Sequence, residues 1–198
     1  MKQIGITGPT GSGKTTALNA LEKLGVYILD ADAVYYDLLI HNEDMKGELR
    51  GRFGEGIMTD EGMVDRKKLG AIVFADPSAL LDLNAITHKY VGEENDRRKK
   101  QAEADGYRAV AVDAIALIES GMAKDCDKVV SVVAPAEVRV KRIMVRDGIS
   151  EEYARSRINA QKPDSFYMEN SDHVLLNDGS LTPEEFEQQA LEYFKTIL

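Results

Sequence analysis

The stretch Gly8-Pro9-Thr10-Gly11-Ser12-Gly13-Lys14-Thr15 constrains the fold more than any other part of the chain. It follows the apolar run Ile4-Gly5-Ile6-Thr7, and residues 17–24 after it have a helical pattern. The order is strand, glycine-rich turn, helix, with the G-x-x-x-x-G-K-[ST] spacing of a phosphate-binding P-loop. Glycines allow positive φ and let a phosphate approach the backbone with no Cβ in the way. The amide N–H groups then form an anion nest, backed by the N-terminus of the following helix. Lys14 has the reach for β- and γ-phosphate oxygens, and the Thr15 hydroxyl is a candidate ligand for Mg²⁺. The flanking strand and helix argue against a merely flexible turn. Gly11, Ser12, Gly13, Lys14, Thr15 and Thr16 therefore read as a nucleoside-triphosphate site.

A chain of 198 residues suits one compact domain with insertions. Its net charge of −9 argues against general binding to nucleic acid or an anionic membrane, so any cationic site must be local. The single cysteine, Cys126, allows no internal disulfide and fits a reducing cytoplasm. With no second thiol or His–Cys pattern beside it, Cys126 reads as a half-buried bystander. The first strand and the P-loop stand where a leader would, and no apolar run approaches the roughly 18 residues of a membrane span. A cytoplasmic protein without a membrane partner is expected. No signature in the chain sets an oligomeric state.

Along the chain, residues 2–7 read as a strand and 14–24 as a helix ended by Gly25. A second strand over 26–29 delivers Asp30-Ala31-Asp32 at its carboxyl end, the side on which open α/β sheets bind ligands. If strand geometry persists, the two aspartates point to opposite sides. Either can be the catalytic carboxylate, and either can be a turn or N-cap residue. Residues 33–106 are mainly helical with no central strand, a block longer than a plain βα connection. It includes a turn at Asp60-Glu61-Gly62, a helix opening at Asp76-Pro77 and an amphipathic face over 79–91. The charge run Arg97-Arg98-Lys99-Lys100 reads as a solvated helix face. The expected organisation is a nucleotide-binding core of residues 1–32 and 107–198, with a helical insertion at 33–106 that holds the second substrate.

Residues 109–112 form a third strand ending in Asp113, and 128–133 a fourth, rich in β-branched residues. A helix runs from Pro135 to Gly148, and another begins at Ser150 and ends before Pro163. They carry Arg139, Lys141, Arg142, Arg146, Arg155, Arg157 and Lys162, a basic cluster in an acidic chain. Arg139, Arg142 and Arg146 share one helix face by spacing. That face favours a lid, at about 139–165, closing cations over a transferring phosphoryl group, over a solvated helix paired with acidic neighbours. Residues 174–176 form a last strand before the Asn177-Asp178-Gly179 turn. Thr182-Pro183-Glu184-Glu185 then opens a final helix to about residue 197 with N-cap, Pro and capping box. The fold class expected is α/β, a P-loop fold with a five-stranded parallel sheet flanked by helices.

The chain lacks the Asn-Lys-x-Asp motif by which GTPases read guanine, and it is too short for most motor or transporter ATPases. A small kinase fits better. The sequence resembles the dephospho-CoA kinases over nearly its whole length. The residues that carry the resemblance are Gly5-Ile6-Thr7-Gly8 through Lys14-Thr15, Leu24-Gly25 through Asp30-Ala31-Asp32, and Leu83-Asn84-Ala85-Ile86-Thr87-His88. They continue in residues 138–147, in Arg157-Ile158-x-x-Gln161, and in Asp172-His173-Val174 up to Asn177-Asp178-Gly179. The chain departs from the family pattern at Lys89, where a proline is usual. It also reads Ile115-Ala116-Leu117-Ile118-Glu119 where Pro-Leu-Leu-Phe-Glu is usual.

The resemblance implies ATP-dependent phosphorylation of the ribose 3′-hydroxyl of dephospho-CoA, the last step of coenzyme A biosynthesis, with Mg²⁺. It implies that Asp32 accepts or orients the hydroxyl proton, that Lys14 and the lid residues Arg142 and Arg146 stabilise the transferring group, and that Asn177 and Gly179 lie near adenine. His88 is a candidate acceptor contact or a helix-packing residue. Two rival functions are a kinase for another nucleoside or nucleotide acceptor, and a nucleotide-binding regulator that transfers nothing.

Overall fold

The computed structural model describes all 198 residues. Its core is a five-stranded parallel sheet in the order β2-β3-β1-β4-β5. The strands are β1 (Lys2–Thr7), β2 (Tyr27–Asp30), β3 (Ala109–Asp113), β4 (Lys128–Val133) and β5 (His173–Leu176). β1 lies at the centre because Ile4 and Ile6 are fully buried and its neighbours β3 and β4 are near-continuous apolar runs, as parallel strands covered on both faces require. Around the sheet run α1 (Lys14–Lys23), α6 (Ala136–Asp147), α7 (Glu151–Asn159), α8 (Asp164–Glu169) and α9 (Pro183–Ile197). Helices α1 and α9 pack Ala17, Leu21, Phe186 and Phe194 onto β1 and its neighbours. The capping box is formed: Thr182 Oγ1 accepts from the Glu185 amide at 3.2 Å, and Glu185 Oε2 accepts from the Thr182 amide at 2.8 Å.

Between β2 and β3 the chain forms α2 (Ala31–His41), α3 (Glu43–Phe53), α4 (Arg66–Ala75) and α5 (Pro77–Ala104). Asn42 and Asp65 cap α3 and α4. A reversal at Asp60-Glu61-Gly62 is closed by a bridge between Met58 and Val64. Residues 31–100 make one compact unit, and residues 1–30 with 101–198 make the other. The division falls at 30/31 and 100/101 rather than at 32/33 and 106/107, because α2 starts directly after β2 and only the last turn of α5 belongs with the sheet. The charge run is only partly the solvated helix face expected: Arg97 and Lys100 are exposed, but Arg98 and Lys99 are half-buried, and Arg98 pairs with Asp37 of α2 as well as with Glu94.

Two local features depart from expectation. Strand geometry stops at Asp30, so Asp32 lies in the first turn of a helix and the two aspartates do not alternate across a strand. The chain forms the short helix α8 directly after Pro163, where the sequence gives only the end of the preceding helix. Its ordering comes from tertiary contacts, since Tyr167 is buried and Asp164 holds the guanidinium of Arg139 at 2.7 Å. The 115–119 segment also has a packing reason for its retained leucine. A Cβ on Gly5 would meet Leu117 Cδ2 at 2.6 Å and Cys126 Sγ at 3.0 Å, so β1 needs glycine where these side chains pass over it.

Candidate nucleotide and phosphoryl-transfer site

At the carboxyl ends of β1 and β3, the turn after β1 wraps a cavity of about 660 Å³. Gly11, Ser12, Gly13, Lys14, Thr15 and Thr16 line it together with Lys141, Arg142 and Arg146 of α6 and Asn177 after β5. The turn is shaped by positive φ at Gly8, Gly11 and Gly13. At Gly8 no side chain is possible, because a Cβ would lie 2.1 Å from the Val132 carbonyl oxygen. Gly13 caps α1 without a side-chain acceptor, so the first amides of the helix are left for a ligand. The Thr10 amide donates to Gln161 Oε1 at 3.0 Å and the Ser12 amide to the Pro9 carbonyl at 3.2 Å.

Lys14 Nζ sits 2.7 Å from Asp113 Oδ1, and both side chains are largely buried. Asp113, the partner of Lys14, lies outside the P-loop motif and shows in the sequence only as the residue that ends the third strand. As the last residue of β3, it is in backbone register with Asp30, the last residue of β2.

The three arginines of α6 divide. Arg142 donates through Nη2 to Asn177 Oδ1 at 2.8 Å, and through Nη1 to the carbonyls of Gly11 and Ser12 at 3.3 Å and of Asn177 at 3.4 Å. Burial pulls its pKa down, yet guanidinium remains cationic at any ordinary pH. Arg146 donates to Thr10 Oγ1 at 3.4 Å and to Asp147 at 2.7 and 3.0 Å. Asp147 also accepts from Arg157 at 2.5 Å, and these two guanidiniums hold its carboxyl down at about 2. Arg139 does not join them. It is 3% exposed and pairs with Asp164, so it ties α6 to α8 instead of facing the cavity.

Asn177 is 7% exposed, and its Nδ2 donates to the Ser12 carbonyl at 2.9 Å. Gly179 lies two residues on with φ 89°, against Val138 rather than in the cavity wall. Thr15 is exposed in the first turn of α1. Asp32, half-buried in the first turn of α2, and His88, exposed on α5, belong to the unit of residues 31–100. Gln161 was visible only as part of a motif, and its bond to the Thr10 amide gives it a role. Cys126 is half-buried and donates to the Met122 carbonyl at 3.5 Å, a packing position. No helix is long and apolar enough to cross a membrane.

Comparison with known proteins agrees with this geometry. The family model described as dephospho-CoA kinase (CoaE) matches residues 2–183. A dephospho-CoA kinase of Corynebacterium glutamicum is 36% identical over 198 residues, which is 100% of this chain and 98% of that protein. Among solved structures, TT1252 from Thermus thermophilus aligns with a TM-score of 0.80 at 33% identity, covering 100% of this chain and 97% of the other. Dephospho-CoA kinase from Campylobacter jejuni aligns with a TM-score of 0.70 at 26% identity, covering 100% and 98%. Matched by the family model over residues 2–183 and by a curated relative at 36% identity over its whole length, the chain belongs to the dephospho-CoA kinase family.

Proposed function

We propose that this protein transfers the γ-phosphoryl group of ATP to the ribose 3′-hydroxyl of dephospho-CoA, releasing coenzyme A and ADP in the cytoplasm. The observation that carries the reading is the convergence of Lys14, the α1 N-terminus, Arg142 and Arg146 on one cavity in a chain of this family. Such a cavity presents cations and amide donors to a polyphosphate, in a protein that is otherwise acidic.

The acceptor oxygen attacks the γ-phosphorus, the bond to the β-bridging oxygen breaks, and ADP leaves with that electron pair. Asp32 takes or orients the hydroxyl proton, and its main service is positioning, since an ordinary aspartate is a weak base. Lys14 exchanges the Asp113 carboxylate for phosphate oxygens. Arg142 and Arg146 place positive charge where negative charge is spread during transfer. Mg²⁺ would be held by the Thr15 hydroxyl and the Asp113 carboxylate, neutralising charge on the β- and γ-oxygens. That set fits a metal that keeps several waters and substrate oxygens, and the protein has no cluster of three or more carboxylate, His or Cys ligands. His88 is assigned a contact to the acceptor, and the 31–100 unit is assigned its binding.

The test is acceptor-dependent ADP release with dephospho-CoA against a panel of nucleosides and nucleoside monophosphates. Turnover confined to dephospho-CoA is expected. Equal or better turnover with another acceptor would replace the substrate, and no acceptor-dependent release with any would replace the enzyme by a nucleotide-binding regulator.

A further inference from the structure

We propose that Asn177 is a positioning residue for the phosphate nest, fixing the Ser12–Gly13 peptide so that the Gly13 N–H faces the cavity. The proposal rests on the reading of this cavity as the nucleotide site. A trans peptide is planar, and its C=O and N–H point in opposite directions. Two donors grip the Ser12 carbonyl: Asn177 Nδ2 at 2.9 Å and Arg142 Nη1 at 3.3 Å. With the oxygen drawn toward them, the N–H of the same peptide is turned the other way, to the side where a phosphate is received.

The rest of Asn177 is spent on the same task. Its amide donates to the Val133 carbonyl at 2.9 Å, at the end of β4, which anchors it to the sheet. Its Oδ1 accepts from Arg142 Nη2 at 2.8 Å, so the two grips hold each other. Both side-chain polar atoms are thus engaged inside the protein, and the residue is buried, which is poor placement for reading an adenine edge. Gly13 shows the tightness of the fit. A Cβ there would lie 2.3 Å from Asn177 Nδ2, and the residue sits at φ 104°. Glycine at this point of the P-loop is demanded by Asn177 as well as by backbone conformation.

The experiment separates the phosphate end of the ligand from the base end. Tripolyphosphate and adenosine are titrated separately into wild type, Asn177→Ala and Asn177→Asp, with acceptor absent throughout. Asn177→Asp keeps the shape and the acceptor for Arg142 but cannot donate to Ser12, so it carries the test should Asn177→Ala fail to fold. Asn177→Ala controls for the added negative charge. In parallel, carbonyl-labelled serine and amide-labelled glycine give signals only from Ser–Gly pairs, which are Ser12-Gly13 and Ser120-Gly121.

Both variants are expected to lose about tenfold in tripolyphosphate affinity, or ~1.4 kcal/mol, with adenosine affinity unchanged. In wild type one of the two Ser–Gly signals moves with tripolyphosphate, and in the variants that response is lost. Weakened adenosine binding with tripolyphosphate intact would assign Asn177 to the base and overturn the proposal. Equal loss for both probes, or none for either, would overturn it too. None of these readouts involves dephospho-CoA, so a wrong acceptor assignment leaves them standing.

Discussion

The ammonium of Lys14 lies 2.7 Å from Oδ1 of Asp113, joining the first residue of α1 to the last residue of β3. The pair keeps the lysine extended along the carboxyl edge of the sheet, so it is already oriented when phosphate oxygens compete for it. Lys14→Ala is expected to reduce phosphoryl transfer by at least about 10²–10³-fold, the scale for losing one charge-stabilising donor. The fold should persist, because the lysine holds no core together. Near-normal ADP release from a folded Lys14→Ala protein would remove the P-loop lysine from the mechanism.

Arg142 has two tasks, and the kinetics should show both. Its guanidinium holds the Gly11 and Ser12 carbonyls, and on the proposed mechanism it also contributes charge to the transferring phosphoryl group. Arg142→Ala is therefore expected to lower kcat by about 10²–10³-fold and to raise KM for ATP by a smaller factor. Arg142→Lys should rescue little, since an ammonium cannot reproduce a planar fork that reaches three carbonyls and an amide oxygen. Unchanged turnover in Arg142→Ala would return the residue to a structural role.

Much of this site was legible in the chain, and the reasons are local. The P-loop spacing, the β-branched run of β4 and the Thr182-Pro183-x-Glu185 signal each specify conformation within a few residues, so those elements fall where the sequence places them. What escaped depends on distant partners. Arg139 and Arg142 are three residues apart on α6, yet Asp164 draws one away from the cavity and Asn177 draws the other into it. Helix periodicity puts them on one face but cannot say what each will meet. The same holds for α8, whose formation follows from burying Tyr167. Whether Asp30 and Asp32 alternate across a strand or sit at a helix start stays open in the sequence, because the boundary between β2 and α2 carries no breaker such as Gly or Pro.

The link from α6 to α7 through Asp147 gives a pH signature. Arg146 and Arg157 hold its carboxyl at about 2, below the ordinary aspartate value of about 3.9. The unfolded chain therefore takes up this proton first as pH falls. The stabilisation is present above about pH 4 and is lost as pH drops through about 2. The melting temperature of wild type should exceed that of Asp147→Asn above pH 4, and the gap should close toward pH 2. A gap that stays constant over that range would show that the pairing does not depend on the carboxylate charge.

Asp32 decides between an enzyme that activates a hydroxyl and a protein that only binds nucleotide. Its place in the first turn of α2 supplies an ordinary structural explanation, because a carboxylate near a helix N-terminus is favoured by about 0.3–1 kcal/mol. Asp32→Asn keeps size and hydrogen-bonding reach while removing the charge. On the structural explanation alone, the variant loses that small amount of stability and turns over normally. On the mechanism proposed above, acceptor-dependent turnover falls about 10²–10⁴-fold, the range for general-base assistance. ATP affinity should change little, since Lys14 and the P-loop amides hold the phosphates. Asp30, exposed at the end of β2, is the control, and Asp30→Asn should be milder. Measuring ADP release, ATP binding and melting temperature for the three proteins separates the cases. A dead Asp30→Asn beside an active Asp32→Asn would move the catalytic role to the other carboxylate.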